Sequence, residues 1–418
     1  MAEPSPSPAA VDEIVITGIG MVSPLGGTAD ATMQALLKAK SGVSLLPGSQ
    51  HHLSPVHLHA PVADAALTSV TSLERRRFDR SVQLALQATR EAWRDAGAPE
   101  VEPARLASIV SSGIGGVLTV LAGHEHYLKK GYVGVPATIV PGLMSNSSSA
   151  VIAAEYGAHA AAVSLASACA SGADAVAYAL RLFREDEIDV AIVGGTEAVV
   201  HPMTLSAFAS LRALSTRNSD PARASRPFDR DRDGFVLGEG SAILLAERRR
   251  HAVARGARIW GKLLGAGTSC DAAHIVTPEP SGKWSAEAMR KALRSGGVQR
   301  SDVEIVSAHA TSTPAGDIAE WRALQAAFGS ALTDISVTAV KSAIGHLIGA
   351  AGPVAVALAV MSLHEGLIPP TQNLDNLDPE IELNVVHGSP QPLTRNGVAL
   401  VNSSGFGGHN VAIVVGKD

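Results

Sequence analysis

Short runs of β-branched residues alternate along the chain with longer stretches in which apolar residues recur at helical spacing. Residues 14–16 read Ile-Val-Ile and predict a buried strand, whereas residues 81–96 carry an apolar stripe and predict an amphipathic helix. This alternation is typical of an α/β fold. Residues 1–11 are rich in Pro, Ser and Ala, and we predict that they form a flexible tail.

The pattern changes once, near a basic cluster at residues 248–250. An apolar strand is predicted just before it, at residues 241–246, and a new apolar segment begins at Trp260. We predict two closely packed halves, residues 12–257 and 258–418. Each half repeats the same order of a buried strand, a polar turn and a helix.

Composition and charge narrow the class of protein. The chain has 418 residues, 46% of them hydrophobic, which is enough for a large core or two fused cores. Its net charge of −5 gives no drive toward nucleic acid or an anionic membrane. The apolar run at 350–363 is shorter than the ~20 residues of a bilayer span and predicts a buried helix. With two cysteines and no signal-peptide pattern, we expect a cytoplasmic, reduced protein.

Cys169 is the first candidate for chemistry. Residues 161–168 are small and apolar and predict a buried strand, and an amphipathic helix follows the cysteine. At such a strand-to-helix turn, free backbone N–H groups and the helix dipole favour the thiolate, which is the nucleophile. Taken alone, a cysteine among alanines is more often a small buried hydrophobe.

Two histidines follow predicted strands in the same way. His309 comes after the strand at 303–306 and His346 after the strand at 335–340. Ligands of α/β sheets bind outside the carboxyl ends of strands, so Cys169 and both histidines are expected to converge there. One cysteine and two histidines in one crevice indicate acyl chemistry.

A glycine-rich loop near the end of the chain offers a further group. Residues 398–401 and 411–415 predict a hairpin, and the loop at 402–410 between them contains Gly405, Gly407 and Gly408. A loop of this kind can direct backbone N–H groups at an oxyanion.

Signals for a metal or a nucleotide are incomplete. Residues 229–234 begin like an EF-hand, but the twelfth position of that loop is Gly240 instead of glutamate. The glycines at 113, 115 and 116 do not complete a dinucleotide fingerprint, and Cys270 has no cysteine partner at zinc spacing. We therefore predict no metal and no redox cofactor.

Several of these stretches together resemble the β-ketoacyl-acyl-carrier-protein synthases of the thiolase superfamily, specifically the type II elongating branch. The resemblance runs from about residue 12 to the end of the chain. It implies a five-layer α-β-α-β-α fold of two similar halves. The matching segments are residues 167–172, 226–229, 233–240, 308–317, 341–352 and 402–410.

The resemblance also implies roles for the candidate residues. Cys169 accepts the growing acyl chain, while His309 and His346 bind the malonyl thioester carbonyl and assist decarboxylation. Lys341 supports the two histidines. The N–H groups of Cys169 and Phe406 hold the oxyanion, and the Phe406 side chain gates access to the cysteine.

Substrate contacts are implied in the same manner. Thr311 and Thr313 correspond to positions that contact the pantetheine arm, and Ile114 to a residue that lines the acyl pocket. The substrates arrive on the phosphopantetheine of an acyl carrier protein, so no separate cofactor is expected.

Partner surfaces follow from charge and resemblance. Arg76 and Arg77, together with Arg212, form the expected docking surface for an acidic carrier protein. Relatives pair through the first half, which implies a homodimer or a heterodimer with a related subunit.

The predicted reaction is decarboxylative Claisen condensation in fatty-acid elongation. The alternatives are a ketosynthase of a type II polyketide pathway and a non-condensing chain-length partner. The chain departs from its relatives at Ala310, where glycine is frequent, at Ser404, where phenylalanine is frequent, and at Ala355, where many carry glutamate. A glutamate at the last position would support the lysine and histidine network.

Overall fold

The computed structural model describes residues 12–395 and 397–418; the predicted tail at 1–11 lies outside them. The strands of the described residues are β1 Ile14–Val22, β2 Ser44–Leu45, β3 Leu58–His59, β4 Leu106–Ser111, β5 Ala161–Val163, β6 Val190–Glu197, β7 Gly240–Arg248, β8 Gly261–Cys270, β9 Val303–Ser307, β10 Ser336–Thr338, β11 Leu367–Ile368, β12 Gln391–Pro392, β13 Val398–Gly405 and β14 His409–Gly416. The α-helices are α1 Ala29–Leu37, α2 Ser72–Arg77, α3 Arg80–Asp95, α4 Val117–Lys130, α5 Ile139–Leu143, α6 Ser147–Tyr156, α7 Ser171–Arg184, α8 Pro202–Ser210, α9 Arg249–Ala254, α10 Lys283–Ser295, α11 Pro314–Phe328, α12 Lys341–Ile344 and α13 Ala351–Glu365.

The long strands form one continuous sheet built from two halves with the same order. The sheet runs β10-β9-β13-β14-β8-β1-β7-β6-β4-β5. Numbered within its own half, each set of five strands follows the order third, second, fourth, fifth, first. The halves meet where residues 14–16 of β1 pair with residues 261–263 of β8. The position of the boundary between the two halves, at residues 257 and 258, stays a prediction.

Helices cover both faces of each half-sheet. Helices α7 and α13 pack against each other and against strands of both halves, so they form a central layer. Helices α3 and α6 cover the outer face of the first half, α10 covers that of the second, and α11 packs beside α10. This gives the α-β-α-β-α order, which confirms the predicted five-layer fold.

Helix α13 shows why the apolar run of the sequence is not a membrane span. The segment 348–365 is the one helix in the described part of the chain that is long and apolar enough to cross a membrane, yet 89% of it is buried inside the protein. Every residue from Ala351 to Leu363 is buried. The predicted buried helix is confirmed.

The strand predicted at 161–168 is wrong in length and burial. Strand β5 ends at Val163, and its three residues are partly or fully exposed. Within the described residues it is the last strand of the sheet, and its one partner there is β4. A small, apolar sequence therefore reflects close packing of a loop here and not a buried central strand.

Candidate active site

Cys169 lies between the short β5 and the central helix α7. It is the middle residue of a 3-10 helix, Ala168–Ala170, that leads directly into α7. Ala168 has a positive φ of 52°, a conformation that is strained for an alanine. The cysteine is only 7% exposed and lies on the wall of a cavity of about 330 Å³.

Burial dominates the ionisation of this thiol. Burial, with a smaller contribution from the Glu197 carboxylate, raises the pKa of Cys169 to about 12, and the charge of Lys341 opposes both effects. The expectation that the turn favours the thiolate is therefore wrong for the resting protein, because loss of water outweighs the local N–H groups. Hydrogen bonds from the N–H groups of Cys169 and Phe406 lower this pKa. Those two donors thus approach Sγ together, as an oxyanion site requires.

The two histidines lie side by side on the cavity wall. Their ring centroids are 5.4 Å apart and the rings are perpendicular. Burial, together with the charge of Lys341, holds the pKa of both rings well below 6.5, so both are neutral at pH 7. Each Nδ1 is buried and has no hydrogen-bond partner among the residues that the structure describes. We assign the proton to Nε2, because a buried, unpaired N–H is costlier than an unpaired acceptor.

Lys341 and Glu320 hold His309 by its backbone. The Lys341 ammonium donates to the carbonyl oxygen of His309. The Glu320 carboxylate accepts the N–H of His309 at 2.7 Å and that of Ala310 at 2.6 Å. Burial lowers the pKa of Lys341 to about 8, and the charge of Glu320 opposes that shift. This buried pair fixes the chain that carries the first histidine.

The segment after His309 is strained and held by a second buried carboxylate. Ala310 and Ser312 have positive φ values of 31° and 67°. The Asp317 carboxylate accepts the N–H of Ser312 at 3.1 Å and that of Phe228 at 2.8 Å, and it lies 3.5 Å from Arg232. The motif at 226–240 therefore supports this segment.

Most of the predicted contact residues share the cavity with Cys169. Thr311 and Thr313 lie on its wall with their hydroxyl oxygens 3.0 Å apart. Phe406 also lines the cavity, 6.4 Å from the ring of Phe208, and the exposed Arg212 lies at its edge. The structure thus brings these four residues to the site.

Three predicted residues lie elsewhere. Ile114 is 42% exposed and, within the described chain, is absent from the wall of the Cys169 cavity. Arg76 and Arg77 are exposed at the end of α2, also outside that cavity. Their roles in acyl binding and carrier docking stay predictions.

Sequence reasoning missed the buried carboxylates. Glu320 follows Asp317 by three residues, so both acids project from the same face of α11. Glu197 ends strand β6 and is fully buried behind the cysteine. The sequence could have indicated Glu320, because two acids at helical spacing lie on an otherwise apolar helix face. For Glu197 the sequence offered only its position at the end of a strand.

The structure shows the surroundings of each of the three residues that depart from the family pattern. Ala355 is buried in the apolar core of α13, and Glu320 provides a carboxylate for Lys341 from another helix. Ser404 lines the cavity and donates to the Oδ1 of Asn410 at 3.1 Å. Ala310 is buried at the strained residue after His309.

Comparison with known proteins gives a consistent result. Residues 11–252 match the profile of the family described as beta-ketoacyl synthase, N-terminal domain, and residues 260–375 match its C-terminal domain. The chain is 40% identical to the 3-oxoacyl-[acyl-carrier-protein] synthase 2 of Mycobacterium tuberculosis over 97% of both chains. It is 38% identical to the protein of that name from Synechocystis over 97% of this chain and 98% of that one.

Solved structures agree over nearly the whole chain. The ishigamide ketosynthase/chain length factor superposes with a TM-score of 0.89 at 30% identity, covering 98% of this chain and 100% of that one. A type II PKS acyl-carrier protein in complex with its ketosynthase, bound to the hexaketide, gives a TM-score of 0.89 at 27% identity, with the same coverage.

Proposed function

The chain belongs to the β-ketoacyl synthase family, and from this we infer that it is an acyltransferase of fatty-acid elongation. It joins an acyl thioester to malonyl-acyl carrier protein by decarboxylative Claisen condensation and yields β-ketoacyl-acyl carrier protein. The observation that carries this function is the convergence of Cys169, His309 and His346 on one cavity.

The first step loads the cysteine. The sulfur of Cys169 attacks the carbonyl carbon of the acyl thioester, and the N–H groups of Cys169 and Phe406 hold the oxyanion. The bond to the carrier's sulfur then breaks, and the proton lost by Cys169 passes to that leaving thiolate. Because burial keeps the resting thiol protonated, the attack depends on stabilising the tetrahedral intermediate at the moment it forms.

The second step uses the two histidines. The malonyl thioester carbonyl accepts hydrogen bonds from both neutral imidazoles while the bond to the carboxylate breaks and CO₂ leaves. The negative charge that develops on the carbonyl oxygen is held by these two N–H donors. The carbanion attacks the acyl group on Cys169, the new carbon–carbon bond forms, and the bond to the cysteine sulfur breaks. The cysteine leaves as thiolate and takes up one proton from solvent, which is the proton that the decarboxylative condensation consumes overall. Hydrogen-bond donors thus provide the polarisation, and we propose that the reaction requires no metal or redox cofactor.

A ketosynthase of a type II polyketide pathway is the second candidate. The similar solved structures favour it, since one, at 27% identity, is a ketosynthase in complex with its type II PKS acyl-carrier protein, and another, at 30% identity, is the ishigamide ketosynthase/chain length factor. The 40% identity to 3-oxoacyl synthases favours fatty-acid elongation more strongly. A non-condensing chain-length partner is the weakest reading, because Cys169 and both histidines are retained.

We propose that an acyl carrier protein delivers both substrates in the cytoplasm. Arg212 at the cavity edge and the exposed Arg76 and Arg77 present positive charge to such an acidic partner. We propose a dimer as well. Segment 117–144 of the first half exposes large apolar side chains, with Tyr132 at 84% and Val133 at 72% exposure, and a homodimer or a related subunit would cover them.

The test incubates the purified protein with malonyl-acyl carrier protein and with acyl carrier proteins that carry acyl chains of graded length. The products are measured by intact mass. We expect β-ketoacyl product with the wild type and with Cys270→Ala, since Cys270 is the exposed cysteine. Cys169→Ala should form no acyl-enzyme and no product. Failure of the wild type with every donor would refute the condensing function.

A further inference from the structure

A buried carboxylate lies directly behind the nucleophile. Glu197 accepts the Ser112 hydroxyl at 2.8 Å, the Gly113 N–H at 2.8 Å and the Gly349 N–H at 3.0 Å. In the described residues it forms no ion pair with any cation. The carboxylate is therefore held by donors from two loops that are far apart in sequence, one in each half of the chain.

The space around this carboxylate admits no side chain. A Cβ added to Gly113 would lie 2.9 Å from both the Glu197 Oε2 and the Ala168 carbonyl oxygen. A Cβ on Gly349 would lie 2.5 Å from the Gly113 nitrogen and 3.0 Å from Oε2. The loop after β4, the turn that carries the cysteine and the segment after His346 therefore pack backbone to backbone around one charged group.

Strain marks the same place. Ala168, just before Cys169, and Ile348, two residues after His346, have positive φ values of 52° and 44°. Such conformations persist only where neighbouring contacts fix them. The bond from Gly349 to Glu197 directly follows the strained Ile348. Gly113 also donates to Glu197 and packs closely against the Ala168 carbonyl.

We propose that Glu197 is a positioning residue that sets the distance between Cys169 and His346. Its carboxylate fixes the backbone on both sides of the gap that the carbanion crosses. This inference rests on the proposed condensing function. Coupling of decarboxylation to condensation requires the correct distance. A carbanion that does not reach the acyl-cysteine is protonated by water, and the malonyl group is then consumed without forming product.

The charge of Glu197 also acts on the thiol. It raises the pKa of Cys169, while Lys341 lowers it. Burial raises the pKa of Glu197 itself to about 7. Removal of this charge should therefore move the ionisation of Cys169 to lower pH. A variant that keeps the charge but not the contacts separates this effect from a loss of packing.

The test measures CO₂ released per β-ketoacyl product formed. Wild type should give a ratio near one. Glu197→Gln leaves a neutral amide, whose oxygen accepts the two glycine N–H groups more weakly than a carboxylate does. We therefore expect product formation to fall at least tenfold, the ratio to rise at least threefold, and the pH profile of Cys169 alkylation to shift down. Glu197→Asp keeps the charge but is too short to reach both glycines, so its ratio should rise without that pH shift.

Glu247→Gln is the matched control, because Glu247 is another buried strand carboxylate, on β7, bonded to Arg255 and His251. Its stability should fall while the ratio stays near one. If Glu197→Gln does not fold, Glu197→Asp decides. A ratio that stays near one in the folded Glu197 variants would overturn the proposal, whereas absence of product from wild type would instead refute the condensing function.

Discussion

Lys341 is the group whose removal makes the sharpest prediction about both stability and rate. Its side chain is 5% exposed and donates to the His309 carbonyl. Burial lowers its pKa from 10.5 to about 8, against the charge of Glu320. Burial also raises the pKa of Glu320, so neither member of the pair gains enough from the other to offset its loss of water.

Because the pKa of Lys341 differs between the folded and the unfolded chain, the free energy of unfolding depends on pH. A difference of 2.5 between the two pKa values, at about 1.4 kcal/mol per unit, amounts to about 3 kcal/mol. Between pH 8 and 10.5 the unfolded chain keeps this proton and the folded chain has lost it, so the contribution of Lys341 to stability rises with pH. Lys341→Met has no such group, and its stability relative to wild type should fall by about 3 kcal/mol from pH 7.5 to 10.5.

The rate of malonyl decarboxylation should follow the same proton. Wild type loses the positive charge beside the histidines as pH passes about 8, so its rate should decline there. Lys341→Met should be slower at pH 7 and should lack that decline. Urea unfolding and CO₂ release are measured from pH 7 to 10.5, with Lys291→Met as the control, since Lys291 is exposed. The reasoning is refuted if the stability difference between Lys341→Met and wild type does not change with pH.

Three further outcomes are expected. His346→Ala removes one of two donors to the developing oxyanion and should lower the decarboxylation rate ~10²–10³-fold at constant acylation of Cys169; an unchanged rate would contradict the role of the ring. Phe228→Ala empties a fully buried site and should reduce the free energy of unfolding in urea by about 3–5 kcal/mol, with a loss under 1 kcal/mol counting against tight packing there. Arg212→Glu reverses the charge at the cavity edge and should raise KM for carrier-bound substrate at least fivefold at low salt, with kcat nearly constant. The increase in KM should be smaller at high salt. Equal KM values for the variant and the wild type would exclude Arg212 from the docking surface.

The elements that the sequence predicted well are those with a strong local period. Helix α3 and the hairpin of β13 and β14 appear where apolar spacing placed them. The long loop predicted at 402–410 is wrong in length, because the first strand continues to Gly405 and the second begins at His409. Helix α13 was predicted from the length of its apolar run, and the surrounding layers explain why that run is buried. Strand β5 was overestimated because small residues suit a tight loop as well as a strand, and local composition cannot distinguish these.

The sequence predicted the reactive side chains of the site but not the buried carboxylates that hold the surrounding backbone. Cys169, His309 and His346 each come after a strand in the sequence, but β5 lies at one end of the sheet and β9 and β10 lie at the other. Packing of residues 168–170 against β13 and against residues 348–350 brings the three side chains to one cavity. The roles of these residues came from family resemblance, not from spacing. Glu197 accepts backbone N–H groups distant in sequence, from Gly113 and Gly349, so it leaves no local motif. Glu320 accepts the side-chain amide of Asn402 as well as the N–H groups of His309 and Ala310, and the spacing of the two acids on α11 does not reveal these partners. The protonation of the thiol depends on how completely the fold excludes water, which the sequence around Cys169 does not encode.

The repeated strand order has a consequence for how such proteins diverge. Each half specifies the same arrangement of five strands, but the nucleophile belongs to one half and both histidines to the other. The architecture is thus encoded twice, whereas each chemical function is encoded once. A lineage can lose the nucleophile while keeping a complete scaffold and an intact second half, so an inactive companion subunit lies only a few substitutions from an active ancestor.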